Sequence, residues 1–543
     1  MNRIFQEHTT TYFKGYYVLL ILMVISLPLS KALSSIIPGV LMFWWLVDRH
    51  FLEKFRLLKQ RKGLILIISI YLIYVIGLLW TNSMEWGVLD VTIQLPLLVL
   101  PLVIGTSPRL NYFQVKQILY VFALAVVVAS FCSVWVLLGL SDITIHDPRE
   151  MSLFISHIRF SLLINIAIFS LGWYLMNKEQ KHYGEKLFLV ITILWLAVFL
   201  IILKSVTGWV VFFIISLLVV FRNMLRIKKM YFRISLISVF IVLATIPAIY
   251  VLHTVHQFYQ VEKVSPNLLH EKTSKGNSYL QDTQNKELEN GHYIYLYLNE
   301  DEIREAWNKR STLNYDSIYP SGFNRLVLIR YLTSKGLRKD SESVEKLTPD
   351  DIKNIENGMT NYQFANSFTF YKRIYQIIWE ADSYLKGGDP SGHSVTQRLE
   401  YYKMGLKIVA KKPLFGHGTG GYFPAYQEEY SKSKFFTNKE YRQRSHNMLL
   451  SYAIDFGLIG MAYICFALIA PVFIENKKRS ALLISFLLIV FISFINEDTL
   501  NNHDAISFFA FFYPLYLYSD HEKPMSGENI QLEKNEHERT LIS

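Results

Sequence analysis

The chain contains little cysteine and little charge for its length. Two of its 543 residues are cysteine, Cys132 and Cys465, and both lie inside apolar runs, so no disulfide framework is expected. Charged residues make up only 18% of the chain, whereas hydrophobic residues make up 52% and aromatic residues 15%. A soluble chain of this length would be expected to form several domains, but this composition instead favours a protein whose surface contacts lipid.

Common binding signatures are also missing. The sequence has no heptads, no zinc-type spacing of Cys and His, no Walker A motif and no Rossmann fingerprint. The glycine-rich stretch Gly416–Gly421 lacks the GK[ST] ending of a phosphate-binding P-loop. No clean small-residue cleavage site follows the first apolar run, Tyr16–Leu33, so no cleavable signal peptide is predicted.

No metal site and no cofactor are predicted, because no compact set of Asp, Glu and His ligands is visible in the sequence. Glu497, Asp498, His503 and Asp504 come closest to such a set. We interpret these four residues as a polar connection between two apolar runs.

The dominant feature is a series of apolar runs of roughly 18–25 residues, the length that crosses the hydrocarbon of a bilayer. They predict an all-α polytopic membrane protein with about twelve transmembrane helices and one large, mostly helical periplasmic loop between helices nine and ten. The predicted spans are 16–33, 35–52, 63–80, 87–106, 116–140, 152–176, 187–204, 206–222, 232–252, 446–473, 480–496 and 504–519.

These spans divide the chain into four regions. Residues 1–252 form an N-terminal transmembrane bundle, 253–445 the large periplasmic loop, 446–520 the C-terminal transmembrane helices and 521–543 a polar cytoplasmic tail. Two helix starts are predicted within the loop. One has Asn299 as N-cap, three residues before Glu302, and the other begins at Thr348, directly before a proline.

Membrane topology, rather than nucleic-acid binding, accounts for the net charge of +11. Five short loops on one side of the predicted membrane hold nineteen Lys and Arg, whereas the short connections on the other side hold only Lys31, Arg149 and Lys204. Basic residues concentrate in cytoplasmic loops. Both termini are therefore predicted to be cytoplasmic, the large loop is predicted to be periplasmic, and no nucleic-acid partner is expected.

Four basic residues fall at the predicted periplasmic face. Arg159 begins an otherwise apolar span, and an arginine at membrane depth is costly enough to suggest a function. Lys204 ends a span, Arg398 begins the last helix of the loop, and His446 lies at the mouth of the tenth span. Arginine can bind phosphate through two parallel hydrogen bonds, and histidine can take a proton from a hydroxyl near neutral pH. The set predicts capture of an anionic group beside a general base.

Each candidate also has a simpler interpretation. His446 can be an interfacial residue beside a helix cap formed by Ser445 or Asn447. Arg159 can extend its side chain to the membrane interface. The stretch Gly416–Gly421 can donate backbone N–H groups to a phosphate, or it can only allow a sharp turn.

Three short motifs carry a resemblance to a known family. They are PLFGHGTG at Pro413–Gly420, HNMLL at His446–Leu450 and GLIG at Gly457–Gly460. As a set, and together with the layout of spans around one large outer loop, they resemble the O-antigen ligase and polymerase family. Residues 262–357 look like an insertion relative to that family.

The resemblance assigns roles to individual residues. His446 matches the catalytic histidine of the family and is expected to be the general base. Arg398 matches the arginine upstream of the glycine-rich turn, and Arg159 in HIRFS looks like the intramembrane arginine. Both are expected to hold a diphosphate. Weaker candidates for substrate contact are Lys204, Arg444, Asn447, Gly416 and Gly418.

The resemblance also implies the reaction. A glycan is expected to move from an undecaprenyl-diphosphate carrier to an acceptor hydroxyl, without metal, cofactor or nucleotide sugar. The acceptor would be lipid A–core for a ligase or a second lipid-linked glycan for a polymerase, and related enzymes glycosylate protein. The protein would lie in the bacterial inner membrane, in contact with lipid, with its active site at the periplasmic face.

Two readings from other classes stay open. The same charges could line the path of a transporter for lipid-linked glycans, although no internal repeat of the kind common in transporters is evident. The chain could also be a structural or assembly subunit, in which case all four basic residues would be replaceable.

Overall fold

The computed structural model describes residues 2–143, 145, 148–176, 182–224, 230–264, 270–365, 371–436, 438–478 and 480–519. The chain forms two compact units. The first consists of Met1–Asn223 and Arg398–Ser543, and the second of Met224–Gln397. These boundaries differ from those of the regions predicted from topology, which end at residues 252 and 445. The predicted regions stay a prediction. The predicted tail, 521–543, lies outside the described residues.

Helices dominate the described part of the chain. Helices α1 to α10 are Asn2–Leu29, Lys31–Val47, Phe51–Gln60, Lys62–Ile76, Met84–Ile93, Pro96–Thr106, Tyr112–Leu137, His157–Met176, Tyr183–Ile202 and Val206–Met224. Helices α11 to α16 are Met230–Tyr259, Glu300–Arg310, Arg325–Ser334, Ser341–Glu345, Pro349–Glu356 and Tyr371–Leu385. Helices α17 to α21 are Ser394–Lys411, Tyr422–Lys432, Met448–Ile474, Ala481–Ser493 and His503–Tyr518. Single 3-10 turns lie at Gly77–Trp80, Pro148–Met151, Tyr362–Ala365, Lys439–Tyr441 and Thr499–Asn501.

Seven helices of the described part are long and apolar enough to cross a membrane. Their number rises to eight if α2 and α3, which are bent by 115° at the break between them, count as one broken span. Helices α10 and α20 are apolar but shorter. The chain is therefore an all-α protein with several candidate membrane spans, and the count of twelve stays a prediction.

Helix α21 forms the centre of the first unit. Every residue from Ala505 to Tyr518 is buried, and the helix packs against α6, α20 and α2. A helix that is apolar on all sides must be covered on all sides. The start of α21, next to Asn502, is thereby fixed within the surrounding helices.

Helix α19 is interrupted inside the apolar region, and the glycine-rich segment repairs the break. Gly457 has φ 68° and ψ −177°, which ends the regular hydrogen bonding of the preceding turn. The freed carbonyls of Ile454 and Asp455 each accept a hydrogen bond at 2.8 Å, from the backbone N–H groups of His417 and Gly418. On the far side of the break, the N–H of Leu458 donates to the carbonyl of Pro413, also at 2.8 Å.

The same segment reaches the connection between α4 and α5. The Thr419 hydroxyl donates to the Tyr74 carbonyl at 2.6 Å, and the Thr419 N–H donates to the Gly77 carbonyl at 3.2 Å. A side chain on Gly418 would collide with Gly77 and Thr81, because a Cβ there would lie 2.7 Å or less from their backbone atoms. The glycines of this turn thus permit close backbone packing.

The second unit has its own apolar core between α12 and α15, with Trp307, Phe323 and Leu328 fully buried. Its strands β1, Leu288–Glu289, and β2, His292–Tyr293, form a short antiparallel pair. Both helix starts predicted in this region are confirmed. The Asn299 side chain accepts from the Glu302 N–H, and Thr348 forms a capping box with Asp351.

The break in α19 generates a stability prediction. We expect Gly457→Ala to destabilise the protein by at least about 1–3 kcal/mol, because its backbone conformation is almost exclusive to glycine. In addition, the new methyl group would overlap the Leu414 carbonyl. The thermal unfolding midpoint of detergent-purified protein should fall by several degrees. Gly39→Ala is the control, since a Cβ on Gly39 meets nothing within 4 Å; equal midpoints for the two variants would contradict the prediction.

Candidate functional site

A cavity of about 400 Å³ lies in the first unit, next to the start of α19. Charged side chains line one part of it, among them Arg159, Arg444, His446, Glu497 and Asp498. The cavity therefore contains three of the candidate site residues, together with two carboxylates that the sequence suggested only as part of a polar connection. Aromatic side chains line the other part.

Hydrogen bonds between two separate segments bring His446 and the carboxylates together. The N–H of Met448, the first residue of α19, donates to the Phe494 carbonyl at 2.9 Å. The Asn447 side chain caps α19 by accepting from the Leu450 N–H, and its amide donates to the Ile495 carbonyl at 2.9 Å. These bonds hold the start of α19 beside the end of α20, so that His446 lies beside Glu497 and Asp498.

The His446 ring has one bonded nitrogen and one that is free among the described residues. Its Nε2 lies 3.0 Å from the side-chain oxygen of Gln443. Its Nδ1 is buried and has no hydrogen-bond partner there. This nitrogen lies 3.8 Å from Asp498 Oδ1 and 3.9 Å from Glu497 Oε2, which is too far for a hydrogen bond. These three atoms therefore lie close together without a direct hydrogen bond.

Burial and charge set the protonation of this cluster. Burial lowers the pKa of His446 below its usual value; Asp498 opposes this effect, and Arg398, Arg444 and Arg159 reinforce it. Burial raises the pKa of Glu497 to about 7, against the opposing effect of Arg398. His446 is consequently neutral at pH 7 and able to accept a proton.

The cluster has the donor types of a metal site. Ligand atoms of His446, Glu497 and Asp498 lie within 4.8 Å of one another. However, the pKa of His446 also responds to three arginines close by, Arg159, Arg398 and Arg444. Glu497 is already paired with Arg398 at 3.1 Å, and the positive charge of the nearby arginines disfavours a divalent cation beside His446.

Each of these arginines has an acidic partner. Arg159 Nη1 lies 3.9 Å from Asp504 Oδ2 at the start of α21. Arg398 Nη2 donates to Glu497 Oε1 at 3.1 Å. Arg398 does not line the cavity itself; it lies on α17, one turn before Tyr402, whose hydroxyl donates to the Ile495 carbonyl.

Arg444 is held by an aromatic ring and by a carboxylate of α5. Its guanidinium carbon lies 4.0 Å from the centre of the Tyr422 ring, and its Nη2 donates a hydrogen bond to the Tyr422 hydroxyl. Its Nη2 lies 4.0 Å from Asp90 Oδ1. The Tyr422 N–H in turn donates to the Asp455 side chain at 3.1 Å, so α19 fixes the start of α18.

Aromatic residues form the remaining wall of the cavity. Tyr422, Tyr426 and Tyr430 recur every fourth residue along α18 and share one face of it. Trp86 from α5 stacks on Phe423 with ring centres 4.0 Å apart. Such a wall offers flat apolar surfaces beside the charged cluster.

The other residues that the sequence singled out lie elsewhere. Lys204 is exposed at the end of α9 and does not line the cavity. Asn447 is the cap of α19, and Gly416 and Gly418 lie in the turn that repairs the break in that helix. Substrate contact by these four residues stays a prediction.

The sequence suggested Glu497 and Asp498 only as part of a polar connection, and it did not single out Asp90. All three are acidic residues at the ends of apolar runs, where a charge is as costly as that of Arg159. Applying the same argument to acidic residues would have singled them out. Trp86, by contrast, gives no such signal, because tryptophan is common near membrane interfaces.

A family model described as O-antigen ligase matches residues 358–465, a range that includes Arg398, the glycine-rich turn, Arg444 and His446. No curated protein matches the chain significantly. The match supports the resemblance predicted from the short motifs: residues 358–465 are similar to the O-antigen ligase family.

Proposed function

We propose that this protein is a membrane glycosyltransferase that moves a glycan from an undecaprenyl-diphosphate carrier to an acceptor hydroxyl, in the manner of an O-antigen ligase. One observation carries the proposal. A neutral His446, whose Nδ1 has no hydrogen-bond partner among the described residues, lines a cavity that is also lined by Arg159 and Arg444. A base and phosphate-binding groups thus share one small space.

In the proposed reaction, His446 takes the proton of the acceptor hydroxyl as the oxygen attacks the anomeric carbon of the donor sugar. The bond between that carbon and the diphosphate oxygen breaks, and the diphosphate leaves with the electron pair. Attack opposite the leaving group inverts the configuration at the anomeric carbon. Glu497 and Asp498 stabilise the protonated imidazole, since both carboxylates lie within 4 Å of Nδ1.

The arginines bind the diphosphate and stabilise the charge that it gains on leaving. This role of Arg159 is supported by its position on the cavity wall, where its contact to Asp504 is a long one of 3.9 Å. Arg398 also binds the diphosphate if its guanidinium releases Glu497 and bonds to a phosphate oxygen instead. No metal ion takes part, because the guanidinium groups already supply the positive charge that a leaving diphosphate needs.

The charge distribution supports the proposed location. Basic loops on one side predict cytoplasmic termini in a bacterial inner membrane, which leaves His446 and Arg159 at the periplasmic face. At that face, the partners would be the lipid-linked donor and either lipid A–core or a second lipid-linked glycan.

We expect His446→Ala to abolish glycan transfer without unfolding the protein. The measurement is a surface-glycan gel from cells that lack the protein and are complemented with wild type or the variant. Glycan that is made but never joined to lipid A–core would indicate a ligase, and a single repeat on the core without a ladder would indicate a polymerase. His256→Ala, at an exposed histidine of α11, is the control. Near-normal transfer by the His446 variant would remove its role as base.

Arg159→Lys should lower the transfer rate at least tenfold, because a compact ammonium replaces a planar fork that can bind phosphate through two bonds. Arg109→Lys, at an exposed position between α6 and α7, should have no effect. Transfer rates of the purified variants, measured with saturating donor, test this. Full activity of the Arg159 variant would favour the interpretation that this side chain only reaches the membrane interface.

Chelation should leave the activity unchanged. We expect purified protein to transfer glycan at the same rate in EDTA and in added Mg²⁺ or Mn²⁺, since Glu497 is already paired with Arg398 and further arginines lie close to His446. The assay compares initial rates under the three conditions. Loss of activity in EDTA with recovery on adding one of the ions would mean that His446, Glu497 and Asp498 bind a cation.

A further inference from the structure

Arg442 differs from the other arginines of the site in its contacts. Its Nε–H donates to the Phe436 carbonyl at 3.0 Å, and its guanidinium carbon lies 5.8 Å from the centre of the Tyr430 ring. These two contacts orient the guanidinium group from its Nε side. The side chain lines the cavity, and within the described residues its terminal nitrogens have no hydrogen-bond partner.

Arg442 is also uncompensated. Arg159, Arg398 and Arg444 each have a carboxylate within 4.0 Å. Among the residues that the structure describes, no carboxylate lies that close to Arg442. A partly buried cation without a counter-ion carries a desolvation cost that an anionic ligand would remove.

The position of Arg442 relates it to the reacting centre. The next residue, Gln443, contacts His446 Nε2 at 3.0 Å. Gln427 and Tyr430 lie three residues apart on α18 and line the same cavity. The Gln427 side chain has no hydrogen-bond partner among the described residues. A charged group held by Arg442 would therefore belong to the part of a ligand that reaches towards His446.

We propose that Arg442 binds an anionic substituent, a carboxylate or a phosphate, on a sugar of the glycan substrate. The inference rests on the proposed function in that it takes the cavity to be the glycan site. Arginine presents a planar fork that matches both anions through two parallel hydrogen bonds. A neutral glycan would leave the guanidinium desolvated and unpaired, so the site discriminates in favour of acidic glycans.

The test is binding to the purified full-length protein, measured by titration calorimetry with three probes. They are trigalacturonate, neutral galactotriose and galactotriose 6-phosphate. We expect wild type to bind at least one acidic probe ten times more tightly than galactotriose, and the two acidic probes separate a carboxylate site from a phosphate site. Arg442→Gln should remove this preference and leave binding of galactotriose unchanged.

Two further variants serve as controls for this test. Lys434→Gln removes one positive charge from an exposed position in the same loop, where the ammonium lies over Phe435, and it should keep the preference. Arg442→Lys should retain part of it, and its unfolding midpoint reports whether losing the Phe436 contact disturbs the fold. Equal affinity of wild type for acidic and neutral probes, or an equal loss in Lys434→Gln, would overturn the proposal.

The outcome can be separated from that of the proposed function. His446→Ala should keep the preference for acidic probes while it loses transfer. Transfer that survives in His446→Ala, with the preference intact, would leave the anion site standing and remove the proposed catalytic mechanism.

Discussion

The interruption of α19 at Gly457 is the constraint on which the site depends. Inside a bilayer no water satisfies a freed carbonyl, so a broken helix needs another protein segment to supply donors. The turn at Pro413–Thr419 supplies them to Ile454 and Asp455. These bonds also fix the position of the glycine-rich turn, which leads directly into α18. The aromatic wall of the cavity is therefore positioned from within the helix bundle rather than by a free loop.

A second bond set completes the arrangement. Met448 and Asn447 bond to the carbonyls of Phe494 and Ile495, so the end of one apolar helix is held against the start of another. Glu497 and Asp498 follow Ile495 within three residues. Because these bonds involve mainly backbone groups, the contact between His446 and the carboxylates does not depend on attraction between the charged side chains. The charges of these side chains are therefore not needed to hold the two segments together, and they can serve the reaction instead.

The sequence made part of this predictable. Short motifs identified the family domain, and the cost of an arginine at membrane depth identified Arg159, which lines the cavity with His446. The pairing of His446 with Glu497 and Asp498 was not predictable, because some fifty residues and two whole helices, α19 and α20, separate them and no periodicity connects a loop to a distant helix end. The bend between α2 and α3 was missed for a related reason: an apolar run reports length, whereas a break depends on packing around it.

The glycine-rich turn illustrates the same limit. From the sequence, Gly416 and Gly418 could donate N–H groups to a phosphate or could permit a sharp turn. In the structure the Gly418 N–H is used by Asp455 within the protein, and the positive φ of both glycines serves close packing. A motif alone cannot say which partner a backbone donor meets, since that partner lies on another helix.

The charge balance around His446 has a consequence for the proposed reaction. Burial lowers the pKa of His446 and the arginines lower it further, which keeps the free base neutral but also makes it weak. If the donor diphosphate binds to these same arginines, its negative charge offsets theirs and the pKa of His446 rises. The base would then become stronger only when the donor is in place. As the diphosphate leaves and gains charge, the protonated imidazole is stabilised further, so proton transfer and departure of the leaving group favour each other. One set of guanidinium groups would in this way both bind the donor and set the strength of the base.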